Sequence, residues 1–268
     1  MHDWRLINSG FQTGAMNMAL DEALLYAVAD GRSLPVLRFY RWRPATVTLG
    51  YAQSVATDID LEVCRRAGLA VVRRATGGRA VLHDNEVTYS VIAPSVSGLF
   101  GNSVLDCYRV ISEVLQKALQ KLGLPAELVA GRPRGAHNTS KAVCFSAPSQ
   151  YELVIDGRKV AGSAQKRHGR AFLQHGSIPL EMDLDLLARA LKTNMNTASA
   201  GSLDKVGWLN MWARRPLTVA EVERCIAEEF SNAMGPSLGH PELTVEELGE
   251  AEKLCSEKYA NPDWTMMR

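Results

Sequence analysis

Residues 151–164, YELVIDGRKVAGSA, constrain the chain more than any other stretch. Two runs of strand formers flank Asp156-Gly157, a dipeptide suited to the positive φ angles of a type I′ turn, so the turn fixes the register of a β-hairpin. A two-residue loop pairs Ile155 with Arg158 and Val154 with Lys159. By strand alternation Lys159, Ala161 and Ser163 then share a face, with the lysine standing over small side chains that leave room for a ligand. Most lysines at such positions are solvated, so this face gains meaning only from what else the sequence brings to it.

Around the hairpin the pattern alternates between strand and helix. GAMNMALDEALLYAVADG reads as an amphipathic helix, with Met16, Ala19, Leu20, Ala23 and Leu24 on one face and Gly31 after its end. PVLRFYRW, ATVTLGY, LAVVRRA, EVTYSVIA and AFLQHGSIPL read as strands, LEVCRRAG as a short helix and TGGRAVLHDNE as a turn-prone loop. A long helix is expected from Ser103 to Gly123. Beyond Leu180 the pattern is helical, with capping boxes at Thr218/Glu221 and Thr244/Glu247. The expected organisation is a sheet-based body over residues 1–180 and a helical portion over 181–268 packed on it.

Composition excludes several classes. Thirty Lys+Arg against 29 Asp+Glu leave a net charge of +1, so no global field favours nucleic acid or a membrane surface. No apolar run reaches the ~18 residues of a membrane span, and MHDWRLINSG lacks the apolar core of a secretory signal. A cytoplasmic location is expected. The 5 cysteines form no C-x-x-C pair and read as reduced thiols, neither a disulfide framework nor a zinc site.

Cys144 differs from the other cysteines in its setting. It follows the turn-rich loop GRPRGAHNTSK and has Arg132, Arg134, His137 and Lys141 before it in sequence, and nearby positive charge favours a thiolate. Cys64, Cys107, Cys225 and Cys255 sit in helical patterns and read as small buried hydrophobes. Cys144 is therefore the candidate nucleophile, and Lys159 the lysine to be weighed beside it. A third element is RRATGGRAVLHD, residues 73–84, where paired glycines after a strand permit close approach of the backbone to a ligand. It is neither a Walker loop nor a Rossmann fingerprint. Arg73 and Arg74 alternate across the strand, so one faces the ligand; Arg73 is taken as that residue. His83 and Asp84 are adjacent and point to opposite faces, which argues against a dyad between them.

Together, NMALDEALL, RRATGGRAVLHDNEVTYSVI, VCFSAPSQYELVIDGRKVAGSA and LQHGSIPL resemble the lipoate and biotin protein ligase superfamily. Within it they are similar to the cysteine-dependent octanoyltransferases of lipoate assembly, over almost the whole chain. The resemblance implies an α+β fold: a mixed, largely antiparallel β-sheet body flanked by helices, with a C-terminal helical portion, and an acyl chain held in a tunnel. It implies Cys144 as acyl acceptor and Lys159 as an active-site group that hydrogen-bonds the acyl carbonyl, stabilises the oxyanion or assists proton transfer. Thr76, Gly77, Gly78 and His83, with Gly162, Ser163 and Ala164, would wall the substrate site, bordered by Gln174, His175 and Gly176. The implied partners are octanoyl-acyl carrier protein and a lipoyl-accepting protein such as the glycine cleavage H protein. No cofactor is required, because the incoming thioester is already activated. Arg132, Arg134 and Lys141 are either a docking surface for an acidic carrier protein or a solvated loop.

Three relatives set the alternatives. ATP-dependent lipoate ligases show three successive glycines where Arg79 takes the third place here. The octanoyltransferase type with its cysteine after the lysine strand is not matched, since no cysteine lies between residues 145 and 224. An amidotransferase moving octanoyl or lipoyl groups between lipoyl domains also uses a cysteine and stays open, as does an acyl-binding protein without catalysis.

Overall fold

A computed structural model describes residues 4–95, 98–101, 103–129, 151–192, 203–235, 238–239 and 242–268. Cys144 and the basic residues Arg132, Arg134, His137 and Lys141 lie outside them.

In chain order the described elements begin with β1 (Trp4–Gln12), α1 (Gly14–Ala29), β2 (Val36–Trp42), β3 (Thr46–Leu49), α2 (Val55–Asp58), α3 (Leu61–Arg66), β4 (Ala70–Arg73), β5 (Val81–His83) and β6 (Glu86–Pro94). They continue with α4 (Val104–Lys121), β7 (Glu127–Leu128), β8 (Leu153–Ile155), β9 (Arg158–Lys159), β10 (Gly162–His168), β11 (Ala171–Pro179) and α5 (Leu184–Ala190). The last are α6 (Val219–Met234), β12 (Leu238–Gly239), α7 (Val245–Leu254) and α8 (Pro262–Met266).

The main sheet has six strands in the order β10-β11-β6-β2-β1-β12. β1 runs parallel to β2 and β12, while the pairs from β2 through β6 and β11 to β10 are antiparallel. Smaller sheets β4-β3-β5 and β7-β8-β9 flank it. The fold is α+β, with mixed and mostly antiparallel sheets. Strand β6 is buried on both faces, its polar Glu86, Thr88 and Ser90 included: Tyr89, Val91 and Ala93 join the core beneath α4 and α6, and Ile92 packs with Leu24 and Leu25 of α1 on the other side.

Local signals set the helix ends. Ser103 and Asp106 form a capping box on α4, and Gly123 just past its end has φ 81°, the left-handed stop that glycine reaches without strain. The capping boxes at Thr218/Glu221 and Thr244/Glu247 form as expected. The amphipathic reading of α1 needs correction, for most of its circumference is buried, including Asp21 and Glu22. The sheet covers one side and α7 another, so its carboxylates face inward and must be paired. Glu22 accepts from Lys166 of β10 at 2.6 Å, from Lys258 at 2.6 Å and from Tyr259 at 2.8 Å. Burial raises its pKa, yet these lysines prevail and hold it at about 2.

The hairpin has the predicted register, Val154 against Lys159 and Ile155 against Arg158. Asp156 and Gly157 have φ 48° and 73°, as a type I′ turn requires. The second strand is not continuous. After Lys159 it leaves the small sheet, and it joins the main sheet only at Gly162. The backbone of Lys159 is taken up by the segment beyond α5: its N–H donates to Lys205 O at 2.7 Å, and Gly207 N–H donates to its carbonyl at 2.9 Å. Ser163 and Lys159 thus belong to different sheets, and simple alternation does not carry from one to the other.

Candidate active site

A cavity opens where three features meet: the turn after β4, the start of β10 and the middle of β11. About 410 Å³ of empty space is lined by Met18, Tyr40, Trp42, Thr48 and Thr88, by Arg74, Gly78, Val81 and His83, and by Gly162–Ala164 and His175–Ser177. Gly50 lets the glycine turn close over it. A Cβ at Gly50 would sit 2.0 Å from the Gly78 carbonyl oxygen, so only glycine permits that approach. Gly176 does the same on β11, where a Cβ would meet Tyr89 at 2.6 Å and Ser163 Oγ at 2.8 Å.

Two histidine–carboxylate pairs support the walls. Asp21 accepts from Arg38 at 2.7 Å, from Ser90 at 2.9 Å, from Tyr40 at 3.0 Å and from His175 Nδ1 at 3.0 Å. Burial raises the Asp21 pKa, but the Arg38 charge and the His175 hydrogen bond outweigh it and hold the carboxyl below its usual value. Burial pushes the His175 imidazole down, so it is neutral, with the proton on Nδ1 facing Asp21. Nε2 then accepts from the Thr76 hydroxyl, 2.8 Å away. On the opposite wall His83 Nδ1 is 2.7 Å from Glu86, and its Nε2 is 2.9 Å from Thr48 Oγ1. Glu86 also accepts from Thr88 and Ser177. Trp42 stacks on the His83 ring at 4.1 Å and donates to Thr88 at 2.7 Å.

Arg74 joins the two systems. Its Nε donates to Thr76 Oγ1 at 3.1 Å and Nη1 to Thr48 Oγ1 at 3.1 Å, while Nη2 reaches the carbonyls of Gly77 at 2.8 Å and Arg79 at 2.7 Å. One guanidinium therefore fixes the glycine turn and orients both threonines toward their histidines. A planar fork does this where a lysine would not.

Of the residues expected at the site, Gly78, His83, Gly162, Ser163, Ala164, His175 and Gly176 line this cavity. Thr76 and Gly77 lie behind the wall, bonded to Arg74. Arg73 is displaced from its expected role. It turns away from the cavity into a cage of main-chain carbonyls from Gly50, Tyr51, Gln53, Trp264 and Thr265, and Arg74 takes the cavity position. Gln174 does not line the cavity either, because it alternates with His175 along β11 and bonds Gln165 at 3.2 Å. Tyr40, Trp42, Thr48 and Thr88 were not anticipated, nor was Glu86 as the partner of His83. The three-residue spacing of His83 and Glu86 was visible in the sequence, but only the tight turn between β5 and β6 makes it a contact.

Lys159 is buried, with 3% of its surface exposed, and is not a solvated hairpin lysine. Its Nζ donates to Glu152 at 2.5 Å, and it does not line the cavity beside the glycine turn. Glu152 lines a smaller cavity of about 250 Å³ with Tyr108, Ser112, Leu115, Tyr151, Leu153, Ala161 and Ser163. Ser163 borders both spaces, with its hydroxyl 2.8 Å from Tyr89 OH and its carbonyl accepting from Tyr108 OH at 3.1 Å.

The cavity is mostly apolar and walled by a glycine turn, with a buried lysine one strand segment away. The sequence profile of the lipoyl protein ligase A/B catalytic domain matches residues 13–231, and the chain belongs to that family. Within it the chain falls in the octanoyltransferase branch. The octanoyltransferase LipM of Brevibacillus brevis is 41% identical over 276 residues, covering 100% of both chains. That of Bacillus subtilis is 40% identical, covering 99% of this chain and 98% of its own. The crystal structure of lipoate-protein ligase A bound with ATP superposes with a TM-score of 0.83 at 25% identity, covering 98% of each chain. The bi-partite lipoate protein ligase of Thermoplasma acidophilum gives 0.82 at 25% identity, over 99% of this chain and 97% of its own. Among the described residues no helix is long and apolar enough to cross a membrane.

Proposed function

We propose that this enzyme transfers an octanoyl group from octanoyl-acyl carrier protein, through a thioester on Cys144, to a lysine of a lipoyl-accepting protein such as the glycine cleavage H protein. The observation that carries this reading is the cavity beside the glycine turn, whose lining among the described residues includes no carboxylate and suits an uncharged aliphatic chain. The octanoyltransferases it matches end to end support the same acyl group.

The chemistry takes two displacements at one carbonyl. The Cys144 thiolate attacks the donor thioester, the carbonyl oxygen gains charge, and collapse breaks the donor C–S bond, with the carrier thiolate taking up a proton. The neutral amine of the acceptor lysine then attacks the enzyme thioester. An amide forms, the C–S bond to Cys144 breaks, the amine proton is lost and the thiolate returns. Lys159 acts as donor to the acyl oxygen in both displacements. The cavity walls hold the chain, while the neutral His175 and the Arg74 network keep the glycine turn in place without putting a titrating charge against it. No step consumes ATP, because the thioester is the activated form.

The test offers two mixtures to the enzyme and a lipoyl-accepting protein. Octanoyl-acyl carrier protein without ATP or magnesium is expected to modify the acceptor, and free octanoate with ATP and magnesium is expected not to. The reverse pattern would replace the transferase by a ligase.

A further inference from the structure

We infer that Glu152, which lines the smaller cavity, is the positioning residue for Lys159 and fixes where its ammonium lies. The inference rests on the role proposed for Lys159 and adds to it the group that places this charge.

The hairpin register brings the two residues together. Val154 pairs with Lys159, and Glu152, two residues before Val154, points to the same face and is the diagonal cross-strand neighbour of the lysine. Both main chains are pinned. Val129 N–H donates to the Glu152 carbonyl at 3.0 Å, and Tyr151 N–H donates to Val129 O at 3.1 Å. Tyr151 itself has φ 65°, a left-handed conformation that a residue other than glycine adopts only where its surroundings impose it. On the other strand Lys159 is tied to Lys205 and Gly207, and Val160 N–H donates to Leu153 O at 3.0 Å. The 2.5 Å bond between their side chains therefore joins two rigid supports.

Burial gives this bond its purpose. The side chains of Lys159 and Glu152 are 4% and 14% exposed, so the ammonium has lost most of its water, and a carboxylate compensates for that loss. The bond takes one of the three N–H donors of an ammonium. It also sets where a four-carbon stem with many rotamers comes to rest. The carboxylate faces the smaller cavity, whose wall at Ser163 is also the wall of the acyl cavity. A neutral amide at residue 152 would replace the charged acceptor of this bond and loosen the hold on the lysine's stem.

A double-mutant cycle on octanoyl transfer from octanoyl-acyl carrier protein tests this, with melting temperatures measured alongside. Lys159→Ala is expected to slow transfer on the order of 10²-fold, as loss of an oxyanion donor does. Glu152→Gln is expected to slow it about tenfold or more through misplacement of that donor, and Glu152→Asp to recover part of the loss. Adding Glu152→Gln to Lys159→Ala should change nothing further, since there is no ammonium left to place. If Glu152→Gln is silent, or slows both backgrounds by the same factor, Glu152 is a structural residue and the inference fails while the role of Lys159 stands. If Lys159→Ala is itself silent, both fall. Should Glu152→Gln not fold, the same comparison is made with Glu152→Asp in the two backgrounds.

Discussion

His175 shows how one residue ties the cavity to the stability of the fold. It is neutral because burial pushes its imidazole below the ordinary 6.5, so on acidification the unfolded chain binds a proton there before the folded chain does. Stability therefore rises with pH across this window and is lost as the pH falls below 6.5. Asp21, held below its ordinary 3.8, adds a loss of the same sign at lower pH. The melting temperature should fall between about pH 7 and about pH 5, and His175→Gln, which keeps polar atoms but does not titrate, should reduce that fall. An identical pH dependence in the variant would mean that His175 does not carry it. At this scale the sequence was readable wherever alternation ran along an unbroken strand. His83 and Gly162–Ala164, which line the cavity, came from the family resemblance and not from alternation, and of the two arginines Arg73 was taken to face inward where Arg74 does. That choice depends on a cage of carbonyls in which Trp264 and Thr265 come from the far end of the chain, and no local pattern reports them.

Among the elements, the turn after β4 carries the tightest constraint. Its position depends on Arg74 from below and on Gly50 from the side. Gly50→Ala puts a Cβ 2.0 Å from the Gly78 carbonyl oxygen. The turn must retreat by on the order of 1 Å, a displacement that costs on the order of 10²-fold in rate when it misplaces a substrate. Transfer by Gly50→Ala should fall by about that factor with the fold retained by circular dichroism, whereas transfer at the wild-type rate would show that the turn does not shape the site. Gly50 was not singled out in the sequence, because its role is contact with a turn some thirty residues away and leaves no periodic trace. The hairpin register was legible down to the pairing of Lys159, since Asp156-Gly157 admits few alternatives. Its second strand was read as continuous because RKVAGSA carries no breaker before Gly162; the change of sheet is imposed by the 205–207 segment bonding Lys159. Strand β5, read as loop, forms because β3 offers it an edge.

For the molecule as a whole, the C-terminal helices complete the body. Val222, Ile226 and Phe230 of α6 share a core with Trp4 and Phe39, α7 is joined to β1 by the buried Arg5–Glu247 pair, and β12 adds a strand beside β1. The α+β class was legible from the alternation of periods, but the contribution of β12 to the main sheet was not, because two residues are too short to show one. In the proposed route the octanoyl group passes through the enzyme on Cys144. The most direct test is intact-mass measurement of the protein after incubation with octanoyl-acyl carrier protein alone, with peptide mapping of any adduct. One octanoyl group is expected, on Cys144, that is removed by hydroxylamine, disappears when a lipoyl-accepting protein is added and does not form in Cys144→Ser. Modification of the acceptor by Cys144→Ser at the wild-type rate, or an adduct on another residue, would contradict it.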